Sequence, residues 1–240
     1  AKLAAQIQSP RLSSQGKSYP VEISHFPVRK DETLNNQCKR AIEQALQQHP
    51  GDVLVFLPGR REIQALQKLL DPLASPNLQV LPLHGDLPIE QQSQVLQAAP
   101  EGVRRIVLAS NVAESSVTLP SVRVVIDSGL AREPRFDPNS GFSRLDLVTI
   151  SQASADQRAG RAGRVSAGFC YRLWPASQRL EAMRRAEIQH SELNSFALEL
   201  ASWGSSDLPF VDAPPIGPWQ AANDLLQSLG ALDAQQTITP

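Results

Sequence analysis

The run Gln157-Arg158-Ala159-Gly160-Arg161-Ala162-Gly163-Arg164 sets three guanidiniums and one carboxamide among small residues. On an α-helix, Gln157, Arg161 and Arg164 stand at i, i+4 and i+7 and share one stripe, while Arg158 points about 100° away from Gln157. Ala155, Ala159 and Ala162 form a separate packing face. Each glycine inside a helix costs roughly 1 kcal/mol relative to alanine, so Gly160 and Gly163 together predict a close backbone approach. Two guanidiniums aimed the same way can neutralise the charge that spreads over the γ-phosphate oxygens when a phosphoryl group passes to water. A neutral amide beside them can orient that water. A plainer alternative has Ser154 capping the helix, Gln157 closing a capping box and the arginines as surface charge. It accounts for Gln157, but not for three arginines interleaved with glycines.

Charge distribution supports a local reading. The chain of 240 residues carries a net charge of −1. Residues 101–185, however, hold 13 Arg, no Lys and 8 acidic residues, a local excess of +5. Arginine in place of lysine suits planar, bidentate phosphate recognition, or else a solvated surface that prefers Arg. No run of about twenty apolar residues is present, so no membrane span is expected. The opening AKLAAQIQSP shows no apolar signal region, and a cytoplasmic monomer is the expectation. Cys38 and Cys170 lack metal-ligand spacing and read as reduced structural thiols.

The elements that must position the run alternate in type. Tyr19–Ile23 enters as a strand. Leu34, Cys38, Ala41, Ile42, Ala45 and Leu46 have helical spacing, capped by Asp31 or Thr33 and ended by Pro50-Gly51. Val53–Leu57 is apolar at every position, as in a strand buried on both faces of a parallel sheet. Ile63, Leu66 and Leu70 mark a helix, residues 78–83 a strand, and 88–98 a helix opened by Pro88. Residues 105–109 and 122–127 are further strands. This alternation predicts an α/β, doubly wound, parallel sheet flanked by helices. Residues 133–150 read as a β-hairpin around the turn signal 135–141. A helix is expected to open at Ser154, a last strand to run from Gly168 to Trp174, and residues 177–204 to be mostly helical. There Leu193, Phe196, Leu198, Leu200 and Trp203 give a buried face. One more helix, 218–229, ends at Gly230.

The run QRAGRAGR resembles motif VI of the DEAH/RHA-type, superfamily-two RNA helicases. Other segments resemble that family in its order: VLVFLPG (53–59) motif IV, Leu83-His84-Gly85 the short motif after it, SNVAESSVTL (110–119) motif V and VIDSG (125–129) its continuation. CYRLW (170–174), residues 191–204, DLPFVDAPP (207–215) and LGALD (229–233) are similar to the bacterial HrpB branch of that family. The likeness covers roughly residues 17–240. It implies a RecA-like, P-loop-type domain over 18–175, carrying the hairpin, after a linker over 1–17. Residues 176–240 would be a helical segment and the start of a truncated winged helix.

The resemblance also implies roles. Arg161 and Arg164 would be arginine fingers, Gln157 would position the hydrolytic water, and Arg158 would lie by the nucleotide or anchor the domain interface. Ser116 would sense nucleotide state, and Asp127 would accept hydrogen bonds from the nucleotide ribose or a neighbouring backbone amide. His84, Gly85, Ser110, Asn111 and Ser115 would line a nucleic-acid track. Glu114 would cap a helix or contact a neighbouring domain. Phe136 and Phe142 would stack on bases or pack the hairpin onto its own domain. Near Leu96, relatives often place an aromatic that stacks on adenine, so loose nucleotide preference is expected. The chain contains no Gly-x-x-x-x-Gly-Lys-Ser/Thr loop and no Asp-Glu-Ala-His box. ATP (or another NTP) and Mg²⁺ would therefore be bound mainly by a preceding RecA-like domain, and the chain alone would not hydrolyse ATP. Single-stranded RNA is the implied partner, with 3′ to 5′ movement. A DNA-directed motor lobe and a non-catalytic RNA-binding or docking scaffold are the alternatives.

Overall fold

The computed structural model describes residues 2–12, 19–115, 119–137, 140–205 and 208–239. The chain divides into two compact units. One comprises Gly16–Arg132 and Leu147–Arg184, the other Ala1–Gln15, Glu133–Asp146 and Arg185–Pro240.

The first unit is an α/β sheet domain. Its strands are β1 (Val21–His25), β2 (Asp52–Phe56), β3 (Leu78–Leu83), β4 (Arg104–Ala109), β5 (Val122–Asp127) and β8 (Gly168–Arg172). They pair in the order β1-β8-β5-β2-β4-β3, and every pairing is parallel. Strand β2 is buried at all five positions because both faces are covered. Val53 and Val55 pack on one side with Cys38, Ala41 and Ile42 of α2 (Leu34–Gln48) and Ile63, Leu66 and Leu70 of α3 (Arg60–Leu70). Leu54 and Phe56 pack on the other with Val95 of α4 (Ile89–Leu96) and Ala159 of α6 (Gln152–Gly160). Thr33 caps α2, and Pro88 stands at the N-cap of α4. Cys38 and Cys170 are buried free thiols. Burial pushes the Cys38 thiol up to about 12 and raises that of Cys170 as well.

Arginine is used inside this unit. Arg104 donates to the carbonyls of Leu46, Ala45 and His49 and so closes the C-terminus of α2. Arg105 pairs with buried Asp52 at 2.8 Å and donates to the carbonyls of Val95 and Gln97. Arg123 donates to Ala167, and Arg172 pairs with Asp156 at 2.8 Å. The local arginine excess is thus in good part internal stapling, which neither phosphate recognition nor a solvated surface had accounted for.

Two sequence expectations are corrected here. Helix α6 is capped by Ser151, whose hydroxyl accepts from the Ser154 amide, rather than by Ser154 itself. Residues 177–193 hold only a short 3₁₀ turn at Glu187–Gln189. The carbonyls of Glu181 and Ala182 accept from the Gln152 and Ala153 amides at the first turn of α6. Carbonyls committed in that way cannot close a helix of their own.

In the second unit, α7 (Asn194–Trp203) and α8 (Ile216–Ser228) pack through Leu193, Ala197, Leu200, Ala222 and Leu226. Trp203 is 76% exposed and Leu198 37%, so they leave the expected buried face, which runs through Ala197 instead. Gly230, at φ 71°, follows α8 in the left-handed region. The hairpin strands β6 (Leu130–Asp137) and β7 (Phe142–Thr149) form a two-stranded sheet. Phe136 is half-buried, whereas Phe142 is 76% exposed, so packing does not account for the Phe142 ring. Among the described residues no helix is long and apolar enough to cross a membrane.

Candidate functional site

The motif residues gather at the carboxyl ends of the parallel strands, where open α/β sheets place their ligands. Leu83 and Ala109 are register partners on β3 and β4. The residues that follow them, His84-Gly85 and Ser110-Asn111, are therefore neighbours, tied by a hydrogen bond from the Ser110 amide to the Leu83 carbonyl. Gly85 and Asn111 are exposed and Ser110 is half-buried. His84 is 7% exposed, and burial lowers its pKa. The exposed residue at this turn is Gly85, around whose Cα the space is open. The side chain of Ser115 and the whole of Ser116 lie outside the described residues.

Behind this edge lies a polar network that the sequence did not foretell. Asp127 ends β5 and is fully buried. Its Oδ1 accepts from the Gly129 amide at 2.9 Å and from Arg158 Nη1 at 2.8 Å. The Gly129 amide is the neighbouring backbone donor expected for it. Burial raises the Asp127 pKa, and the Arg158 charge opposes that rise. Arg158 is 1% exposed. It also donates through Nε to Glu114 Oε2 at 3.0 Å and through Nη1 to the Leu130 carbonyl at 3.3 Å, and its guanidinium lies 4.8 Å from the centre of the Phe56 ring. The expectation that Arg158 meets the nucleotide or a domain interface is thus corrected: it points into the sheet, about 100° from Gln157, and is enclosed by carboxylates.

The arginine run itself bends. Helix α6 stops at Gly160, and residues Arg161–Gly163 tighten into a 3₁₀ turn with Arg164 at its end. The α-helical spacing thus runs from Gln157 to Arg161 but does not continue unchanged to Arg164. Gln157, Gly160 and Arg164 are exposed. Arg161 is 6% exposed, against the expectation of one open face shared with Gln157 and Arg164. Both of its outer nitrogens on one edge, Nε and Nη2, donate to the Glu114 carbonyl. Arg161 and Arg164 nonetheless line one recess, together with Leu54, Ala113, Leu119 and Val122. Burial, and then the Arg164 charge, lower the Arg161 pKa, while Glu114 opposes them.

The two glycines part company. A Cβ on Gly163 would stand 2.5 Å from the Tyr19 carbonyl oxygen and 2.8 Å from Val21 Cγ2, so this is the close approach the sequence predicts. A Cβ on Gly160 would meet nothing within 4 Å. Glu114, expected to cap a helix or contact a neighbouring domain, is found between two arginines of the run. It serves two arginines at once, and the only signal in the sequence was an acid inside a turn of small residues.

The model of the helicase conserved C-terminal domain matches residues 34–166, which contain the whole network. The chain belongs to this helicase family. Its relatives place the helicase among the DEAH/RHA type. The ATP-dependent RNA helicase HrpB of Escherichia coli (strain K12) is 38% identical over 234 residues, 95% of this chain and 29% of its own length. The pre-mRNA-splicing factor ATP-dependent RNA helicase prp22 of Schizosaccharomyces pombe (strain 972 / ATCC 24843) is 37% identical over 243 residues, 96% of this chain and 21% of its own. The crystal structure of the Escherichia coli DEAH/RHA helicase HrpB superposes with a TM-score of 0.93 at 36% identity, covering 99% of this chain and 31% of that one. The helicase chain thus spans under a third of the length of the relatives it matches. Its six-stranded parallel sheet is the RecA-like fold of the helicase C-terminal domain.

Proposed function

We propose that this domain is the arginine-bearing motor lobe of an ATP-dependent RNA helicase. It presents Gln157, Arg161 and Arg164 to the γ-phosphate of an NTP held mainly by a preceding RecA-like domain. The observation that carries the reading is the exposed edge Gln157–Gly160–Arg164, with Arg161 adjoining it. Arg164 already faces outward. Arg161, held on the Glu114 carbonyl, meets the phosphate from that position when nucleotide closes the two lobes. Two cations at that point stabilise the charge that develops on the transferred group, and Gln157 orients the attacking water.

Magnesium belongs to the other lobe. Among the described residues no group of three or more His, Cys, Asp or Glu could hold a metal ion. With neither the phosphate-binding loop nor the Asp-Glu-Ala-His box in its sequence, this chain alone is expected not to hydrolyse ATP. The exposed Gly85 and Asn111, with half-buried Ser110 between them, suit backbone contact with single-stranded RNA without base preference. Ser115 continues that track in this reading, and Ser116 senses nucleotide state.

The test is NTP turnover by the full-length protein with and without single-stranded RNA or single-stranded DNA. RNA stimulation that disappears in Arg161→Ala and Arg164→Ala supports the motor reading. Equal stimulation by DNA moves the substrate to DNA, and turnover unaffected by either arginine variant leaves a scaffold.

A further inference from the structure

Glu114 holds two members of the arginine run. Its carboxylate takes the Arg158 Nε at 3.0 Å. Its carbonyl takes both Nε and Nη2 of Arg161. Arg158 is in turn fixed by Asp127 at the end of β5. The four-residue helix α5 (Val112–Ser115), which bears Glu114, follows directly on Ser110 and Asn111. Both contacts fall on one residue, so Arg158 and Arg161 are tied to the same turn of backbone.

We infer that Glu114 is a positioning residue for the phosphate-facing arginines. By clamping Arg158 with its side chain and Arg161 with its backbone, it makes α5 and the 3₁₀ turn after α6 move as one body. The segment that touches nucleic acid therefore sets the placement of the Arg161 guanidinium. This rests on the reading above that Arg161 meets phosphate. A guanidinium displaced by about 1 Å can cost about 10²-fold in rate, so the effect belongs in kcat rather than in binding.

The experiment is a double-mutant cycle in the full-length protein, with RNA saturating. Glu114→Ala is expected to lower kcat about 10- to 100-fold while leaving the KM for ATP and the RNA half-saturation within about twofold. Glu114→Gln, whose amide oxygen still accepts from Arg158, recovers most of the rate. Combined with Arg161→Ala, the Glu114→Ala change adds nothing, because it acts through Arg161. A multiplicative loss in the double variant, or a raised KM at unchanged kcat, overturns the inference. Should Glu114→Ala melt below the assay temperature, Glu114→Asp carries the test, since it keeps the charge and withdraws the carboxylate by one methylene. A loss of about tenfold, silent in the Arg161→Ala background, is expected, and a wild-type kcat overturns the inference. Wild-type turnover in Arg161→Ala alone sinks the finger reading, and this inference with it. Lost turnover there with an unaffected Glu114→Ala sinks only the positioning role.

Discussion

Arg158 and Asp127 meet as a buried ion pair, Nη1 to Oδ1 at 2.8 Å, with side chains 1% and 0% exposed. The pair joins the arginine run to the end of β5 and turns the first arginine of that run into an internal strut. Asp127 Oδ2 is buried without a hydrogen-bond partner among the described residues, and the carboxylate takes its hydrogen bonds from Arg158 and the Gly129 amide, with the Arg172 charge also favouring its ionised form. Arg158→Ala would remove its ion-pair partner, which costs about 3–5 kcal/mol in comparable sites. Urea unfolding should show that loss as a lower midpoint, and Arg158→Ala as stable as the parent would mean the pair contributes nothing.

The two glycines of the run should respond oppositely to the same substitution. Gly163→Ala drives a methyl against the Tyr19 carbonyl and Val21, and should cost about 1–3 kcal/mol. Gly160→Ala meets open space on a helical backbone and should stabilise by up to about 1 kcal/mol. If the preceding lobe closes over Gly160, the more stable Gly160→Ala protein should turn NTP over more slowly. Thermal melts and steady-state rates on both variants check this, and a fast, stable Gly160→Ala protein would argue against close contact there.

The fold was legible where burial alone decides. The unbroken apolar run of β2, the Ile63, Leu66 and Leu70 stripe of α3 and the limits of β3 and β5 all follow from periodicity, because each is set by which face meets the core. Arg161 was not legible. Helical spacing gives the side of the backbone that Arg161 leaves from, but not that its guanidinium folds back onto the Glu114 carbonyl 47 residues away. Nor was Arg158 placed correctly, because its partners Glu114 and Asp127 lie 44 and 31 residues away. Residues 177–193 failed for a related reason, since the first turn of α6 takes the carbonyls of Glu181 and Ala182.

Stability should fall on mild acidification. His49 stacks on Phe169 at 3.7 Å and meets the Tyr171 hydroxyl at 2.8 Å. Burial lowers its pKa below the ordinary 6.5, Glu22 opposes this, and Arg104 and Arg123 add to it. The folded state therefore favours neutral His49, and the unfolded chain takes up the proton first. Its contribution is complete above about pH 6.5 and is lost as pH falls through the lowered folded-state value. Melting temperatures between about pH 7 and pH 5 should drop less steeply in His49→Asn than in the parent. Identical slopes would contradict the assignment. His84, lowered in the same sense by burial, keeps part of the dependence in both proteins.

Nucleotide choice should be loose. Leu96, near the place where relatives often stack an aromatic on adenine, is partly buried and packed against the core. An aliphatic side chain gives no π-face to discriminate one base from another. The full-length protein should turn over all four nucleoside triphosphates at comparable rates, and strict ATP dependence would contradict this.

Arg164, the exposed arginine of the pair, is proposed to meet the transferring phosphoryl group. Single-turnover and steady-state hydrolysis by the full-length protein, with saturating single-stranded RNA, compares the parent with Arg164→Ala. The account predicts a kcat lower by about 10³-fold or more, as for a lost arginine finger, with RNA affinity and melting temperature unchanged. A kcat within a few-fold of the parent in a folded, RNA-binding Arg164→Ala protein would contradict it.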